Sequence, residues 1–152
     1  MAKVAAIHSG VCTLRDVTYR MLEEVRDLVS DTDFRRARYI LDEKERVLAV
    51  CAALQDGDYE LVGKKMYETH QGLSRDFTVS CDELDYLVDT ARECGVTGSR
   101  MMGGGFGGCT INLVRDGLCD TFIEKTMKRF EDRFGHRPLK YEVNIGDGSR
   151  KL

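Results

Sequence analysis

The sequence predicts an α+β domain: a ferredoxin-like, split βαβ antiparallel sheet with helices packed on one face. Three observations predict it. Apolar residues recur at helical spacing over most of the chain. The period drops to two at Cys109, Ile111 and Leu113, and again at Tyr141, Val143 and Ile145. One helical segment separates those two runs, giving the strand–helix–strand order of half such a sheet.

Taken in order, residues 10–29 carry Val11, Leu14, Val17, Met21, Leu22, Val25, Leu28 and Val29, with Arg15, Arg20, Glu24 and Asp27 opposite. That is the pattern of a first helix. Asp31-Thr32-Asp33 reads as a stop and turn. Ala37–Leu41 is a short apolar run that suits a strand or a helix start; we read it as a strand, with Asp42 as N-cap of the helix that follows. That helix carries Val47, Leu48, Cys51 and Leu54 and stops at Asp56-Gly57. Another spans residues 58–72, with Tyr59, Val62, Met66 and Leu73 on one face.

Ser80-Cys81-Asp82-Glu83 has the form of a capping box. It opens a helix through Leu84, Leu87, Val88 and Ala91, ended by Gly95. Two strands then flank a glycine loop, with Cys109, Ile111 and Leu113 on the inward face. Residues 118–134 form a helix with Phe122, Ile123, Met127, Phe130 and Phe134 turned in, ended by Gly135, and the strand at Tyr141–Ile145 closes the order.

At 152 residues the chain is long enough for one domain with its own core, read here as residues 1–152. An apolar share of 42% beside 32% charged residues excludes a disordered chain. The net charge of −3 argues against nucleic acid as a partner and offers no pull toward an anionic membrane. No apolar run approaches the roughly 18 residues of a membrane span. The N-terminal MAKVAAIHSG lacks the form of a secretion signal, so a cytoplasmic protein is expected.

The six cysteines show no C-x-x-C spacing and are expected as reduced thiols, Cys51 and Cys109 serving as small hydrophobes in the core. His8, His70 and His136 lack metal-ligand spacing and read as surface or structural residues, so no metal site is expected. Arg35-Arg36-Ala37-Arg38 reads as an exposed strand or turn edge. Asp82, Glu83 and Asp85 suit a helix N-terminus, where carboxylates complement the macrodipole. Asp56-Gly57-Asp58 lacks the further ligands of a calcium loop.

The informative stretch is Gly98-Ser99-Arg100-Met101-Met102-Gly103-Gly104-Gly105-Phe106-Gly107-Gly108-Cys109. Each glycine costs backbone entropy, about 0.5–1 kcal/mol relative to Ala in regular structure. A cluster therefore needs a reason: positive φ in a tight turn, or close approach of a backbone or a phosphate. Gly103-x-Gly105-x-x-Gly108 formally matches the dinucleotide fingerprint, but that motif opens a helix and this one enters a strand. Gly103 and Gly108 also have the Walker A spacing, yet Cys109 stands where Lys is required. Spacing alone leaves two readings open. One is a structural hairpin with Phe106 as apolar plug; the other is a loop that faces phosphate.

Gly98–Thr110 resembles the third conserved motif of the GHMP kinase superfamily, in its galactokinase form. Two other segments agree. Arg36–Val47 resembles the segment that begins R-A-R-H, with Tyr39 in place of His. His70-Gln71-Gly72-Leu73-Ser74-Arg75-Asp76-Phe77-Thr78-Val79-Ser80-Cys81-Asp82-Glu83-Leu84-Asp85 resembles H-x-x-L-x-x-x-Y-x-V-S-C-P-E-L-D, with Phe77 and Asp82 at the Tyr and Pro positions. Gly146-Asp147-Gly148-Ser149-Arg150 is similar to the family's D-G-A-x ending.

The resemblance covers about residues 10–152 and implies the C-terminal domain of an ATP-dependent kinase that phosphorylates the anomeric hydroxyl of galactose. It implies ATP and magnesium for the intact enzyme, neither firmly held by this chain alone, and ATP and galactose as partners through an N-terminal domain. The family's N-terminal sugar motif, second phosphate loop and catalytic Asp and Arg have no counterpart here, so this chain is expected to be inactive alone and to carry no catalytic residue. The resemblance places Gly103, Gly104 and Gly105 toward the phosphates or the phosphate loop. Ser99, Arg100, Met101, Phe106, Gly107 and Gly108 hold the loop, with Arg100 partnering a buried carboxylate or a loop carbonyl. An apolar surface where the other domain packs would favour self-association. The same resemblance admits a kinase of another sugar, such as N-acetylgalactosamine, or a non-catalytic binding or regulatory relative.

Overall fold

The computed structural model describes residues 1–143, 146 and 148. Its elements run α1 (Ala2–Ile7), α2 (Tyr19–Glu23), α3 (Asp31–Asp56), α4 (Tyr59–Arg75), α5 (Asp82–Glu93), β1 (Gly98–Met102), β2 (Cys109–Leu113) and α6 (Cys119–Phe134). Helices on an antiparallel sheet make the fold α+β, as the sequence predicts.

Local chemistry sets most boundaries. Ser30 accepts the Asp33 amide through its hydroxyl and opens α3, which ends where Gly57 turns left-handed at φ +71°. Asp58 accepts the Leu61 amide and opens α4 at once, so a single glycine turn reverses the chain. Gly95 (φ +77°) and Gly135 (φ +77°) end α5 and α6 in the same way.

Several sequence expectations change, among them the stop and turn at Asp31-Thr32-Asp33, which is the first turn of α3. Residues 10–29 form no single helix: short 3₁₀ turns at Leu14–Asp16 and Arg26–Leu28 flank α2. Thr13 and Asp16 cap each other there, and Thr18 caps α2, so side-chain oxygens break the run into pieces. Ala37–Leu41 is helix rather than strand, and lies inside α3. Ser30 supplies a start eleven residues before Leu41, and Tyr39 and Leu41 are the buried positions of that turn. Arg35, Arg36 and Arg38 are accordingly an exposed helix face. The capping box at Ser80 does not form either: the Ser80 hydroxyl donates to Asp85 at 2.6 Å, and Cys81 is the N-cap without a side-chain bond.

A further change concerns the sheet. β1 and β2 pair antiparallel, Ser99 with Asn112 and Met101 with Thr110. Among the described residues the sheet has these two strands. The strand expected at Tyr141–Ile145 is absent over its described part: Tyr141 and Val143 lie outside any strand with exposed side chains, and Ile145 lies outside the described residues.

The period-two reading of β2 is right and its face is inverted. Ser99 and Met101 are buried, with half-buried Thr110 and Asn112 across from them. Met102, Cys109 and Ile111 are exposed on the other face. Cys51 is likewise on the open side of α3, not in the core.

Two apolar clusters hold the chain. Val4, Val17, Leu22, Val25 and Leu41 tie the N-terminal segment to α3. Ala91, Val96 and Phe122 join α5 to α6. Between them α4 lies directly against β1. A Cβ at Gly63 would stand 2.0 Å from the Thr97 carbonyl oxygen, and one at Gly98 would stand 2.4 Å from the Gly63 Cα. Helix and strand approach this closely because both positions lack a side chain.

Candidate functional site

Gly103–Gly108 turn the chain from β1 into β2. Gly103 (φ +90°), Gly105 (+87°), Gly107 (+132°) and Gly108 (+102°) hold a conformation that L side chains rarely adopt. Gly103, Gly104 and Gly107 have no other part of the protein within 4 Å of where a Cβ would be. Gly105 differs. A Cβ there would stand 2.2 Å from the Val79 carbonyl oxygen, so close backbone approach accounts for that glycine. The adjoining Phe106 amide donates to the same oxygen at 2.7 Å. The Phe106 ring is 76% exposed, so it is no apolar plug; the residue anchors the loop through its backbone at φ +60°.

The segment that receives the loop is itself braced. Thr78 sits at φ +59°, an outlier for a β-branched residue. Arg36 donates to the Thr78 hydroxyl at 3.0 Å, Arg35 to the Asp76 carbonyl at 3.2 Å, and the Val79 amide to the Leu73 carbonyl at 2.9 Å. Behind them the Phe77 ring lies 5.4 Å from that of Tyr39. Burial raises the Tyr39 hydroxyl far above its ordinary range, the Glu43 carboxylate adding to the effect.

The base of the loop is held from α4. His70 is buried; its Nδ1 accepts the Met101 amide at 3.2 Å and its Nε2 lies 3.1 Å from Asp85 Oδ1. Asp85 also accepts from the hydroxyls of Ser74 (2.9 Å) and Ser80 (2.6 Å). Asp85 is therefore the hub of a polar network, where the sequence suggested only a helix N-terminus; Asp82 and Glu83 do occupy the first turn of α5. Burial holds His70 below the ordinary imidazole range, outweighing the nearby Asp85.

Of the residues singled out in the sequence, Gly103–Gly108 form the turn of the hairpin and Ser99, Arg100 and Met101 lie along β1. Ser99 and Met101 are buried in β1, and Arg100 donates to the carbonyl of its neighbour Met101 at 3.2 Å, a strand carbonyl rather than the buried carboxylate or loop carbonyl expected of it. Sequence reasoning missed His70, Val79 and Asp85 as parts of the site. Their signal was the segment His70–Asp85, whose polar residues converge on one point. Asp147, Ser149 and Arg150 of the C-terminal resemblance lie outside the described residues.

Chemically, the loop offers backbone amides beside open space at Gly103, Gly104 and Gly107, groups that can meet an anion. Among the described residues no group of three or more His, Cys, Asp or Glu is placed to hold a metal ion. No helix of the described residues is long and apolar enough to cross a membrane.

Comparison with known proteins places these features in context. Residues 51–118 match the family model for the C terminus of GHMP kinases. The chain is 40% identical over 145 residues to a galactokinase of Clostridium acetobutylicum, covering 94% of this chain and 37% of that protein. It is 42% identical over 144 residues to the galactokinase of Homo sapiens, covering 94% of this chain and 36% of that one. The chain therefore spans little more than a third of the length of these relatives. A crystal structure of Lactococcus lactis galactokinase complexed with galactose superposes with a TM-score of 0.86 at 31% identity, over 99% of this chain and 39% of that one. An L. major mevalonate kinase in complex with R-mevalonate gives 0.57 at 25% identity, over 78% of this chain and 35% of that one.

Proposed function

We propose that the chain is the C-terminal domain of an ATP-dependent galactokinase, a reading supported by the match of residues 51–118 to the C terminus of GHMP kinases and by 40% identity to a galactokinase over 145 residues. In this reading it forms one wall of the nucleotide and sugar cleft. The observation that carries it is the open backbone of Gly103 and Gly104 on a loop anchored at its base and its tip. A loop that only closed a hairpin would need far fewer glycines.

Phosphoryl transfer rests mainly on positioning and on stabilising charge, and fixed amides contribute to both. Gly103 and Gly104 would present amides toward phosphate oxygens or toward the phosphate loop of the other domain. Gly105, Gly107, Gly108 and Phe106 would keep them there. Among the described residues no carboxylate set is placed to hold magnesium, and in this reading its ligands come from the rest of the enzyme. The exposed Phe106 ring and Met102 would meet that other part, as would the exposed stripe of Val47, Leu48 and Leu54 on α3. Left uncovered, this surface favours self-association. ATP, galactose and a cytoplasmic setting all follow from the same reading.

The test uses the chain alone. Titration with magnesium ATP should shift the amide resonances of Gly103 and Gly104 weakly, and the chain should produce no galactose 1-phosphate. Robust galactose phosphorylation by the purified chain would overturn the proposal that the catalytic groups lie elsewhere. Shifts confined to residues remote from the loop would overturn the phosphate-facing role.

A further inference from the structure

We propose that His70 is a positioning residue for the glycine loop: a neutral imidazole whose Nδ1 accepts the Met101 amide while Nε2–H donates to Asp85. Its functional meaning rests on the reading above; its structural content does not.

The geometry leaves one consistent assignment. β2 pairs with one edge of β1, and the Met101 amide points to the other edge, toward α4. Met101 is buried, so its N–H would be an orphaned donor without an acceptor from outside the sheet. His70 supplies it at 3.2 Å. A nitrogen that accepts an N–H cannot carry a proton, so Nε2 must hold the imidazole's single hydrogen. Nε2 faces Asp85 Oδ1 at 3.1 Å, which suits a donor. Asp85 is fixed in turn by Ser74 and Ser80. The network therefore runs Ser74 and Ser80, Asp85, His70, Met101, and ends two residues before Gly103.

The same segment grips the far side of the loop through Val79, which accepts the Phe106 amide. Residues 70–85 thus set both the base and the tip of the loop. Protonation of His70 would place a hydrogen on Nδ1 against the Met101 donor and release the base. Asp85 and Asp89 of α5 favour the cation. Burial and Arg92 of α5 oppose it, and Arg75 of α4 lines the same cleft. From β1 the facing group is the Met101 N–H.

Imidazole nitrogen NMR on the wild-type chain reads the tautomer directly. The expected result is a bare Nδ1 and a protonated Nε2 for His70 at neutral pH. The reverse tautomer overturns the proposal. Two variants then test positioning by amide exchange. His70→Phe keeps a ring and removes the acceptor; His70→Asn keeps an acceptor near the place of Nδ1. In His70→Phe, the Met101 and Gly103–Phe106 amides should exchange roughly tenfold faster while α6 is unchanged. His70→Asn should restore most of that protection. Unchanged loop exchange in His70→Phe, or no recovery in His70→Asn, refutes the positioning role. Should His70→Phe fail to fold, the wild-type tautomer and the His70→Asn exchange still decide. Because none of these readouts uses nucleotide, the loop can be found positioned by His70 and still bind no phosphate, or the reverse.

Discussion

Substituting Gly105 by alanine should loosen the glycine loop from its support. The new Cβ would stand 2.2 Å from the Val79 carbonyl oxygen and 2.9 Å from the Val79 Cβ. Neither neighbour is a flexible side-chain end, so backbone must move. The φ of +87° adds a left-handed penalty of about 1–2 kcal/mol for an L residue. Moving the loop away breaks the Phe106–Val79 hydrogen bond, a further loss of about 1 kcal/mol. The expected destabilisation is about 2–3 kcal/mol, an upper bound set by how easily the loop opens locally. Urea unfolding measures it, with the Phe106 amide resonance reporting whether the bond survives. Gly104→Ala is the control: its Cβ meets open space and its backbone is not left-handed, so the cost should stay within about 0.5 kcal/mol. Equal costs for Gly104→Ala and Gly105→Ala would refute the reasoning.

Gly63→Ala should push α4 off β1, because its Cβ would stand 2.0 Å from the Thr97 carbonyl oxygen; a loss of about 1–3 kcal/mol is expected in thermal or urea unfolding. Acidification should weaken the fold through His70. Its folded-state pKa is lowered, so its contribution is fully present above pH 6.5, the ordinary imidazole value, and is lost as pH falls through the folded value. His70→Asn should flatten that part of the stability profile relative to wild type. Thiol titration of the native chain should show Cys12, Cys51 and Cys109 reacting fast and the half-buried Cys81, Cys94 and Cys119 reacting slowly.

Helices with clear stop signals were legible in the sequence. Gly57, Gly95 and Gly135 end their helices as the composition suggests, and the Phe122–Phe134 stripe is turned inward. The hairpin and its glycine loop were legible too, because five glycines within six residues admit few conformations. Ala37–Leu41 was misread because five residues cannot distinguish a strand from one turn of a long helix, and the deciding cap, Ser30, lies further back. The face of β2 was misread because period two fixes alternation and not direction. Burial of Ser99 and Met101 across the hairpin decides which side is covered. The His70–Asp85 network was illegible as chemistry. His70 and Asp85 lie fifteen residues apart and meet only because α4 and α5 both pack against β1.

A chimera tests the central claim most directly. This chain would replace the matching stretch of the Clostridium acetobutylicum galactokinase, to which it is 40% identical. ATP-dependent formation of galactose 1-phosphate is then measured for the chimera and for its Gly104→Val form, whose side chain enters the open space over the loop. The account predicts an active chimera, with Gly104→Val raising the KM for ATP or abolishing turnover while the fold melts normally. A folded chimera that cannot phosphorylate galactose, or one indifferent to Gly104→Val, would contradict it.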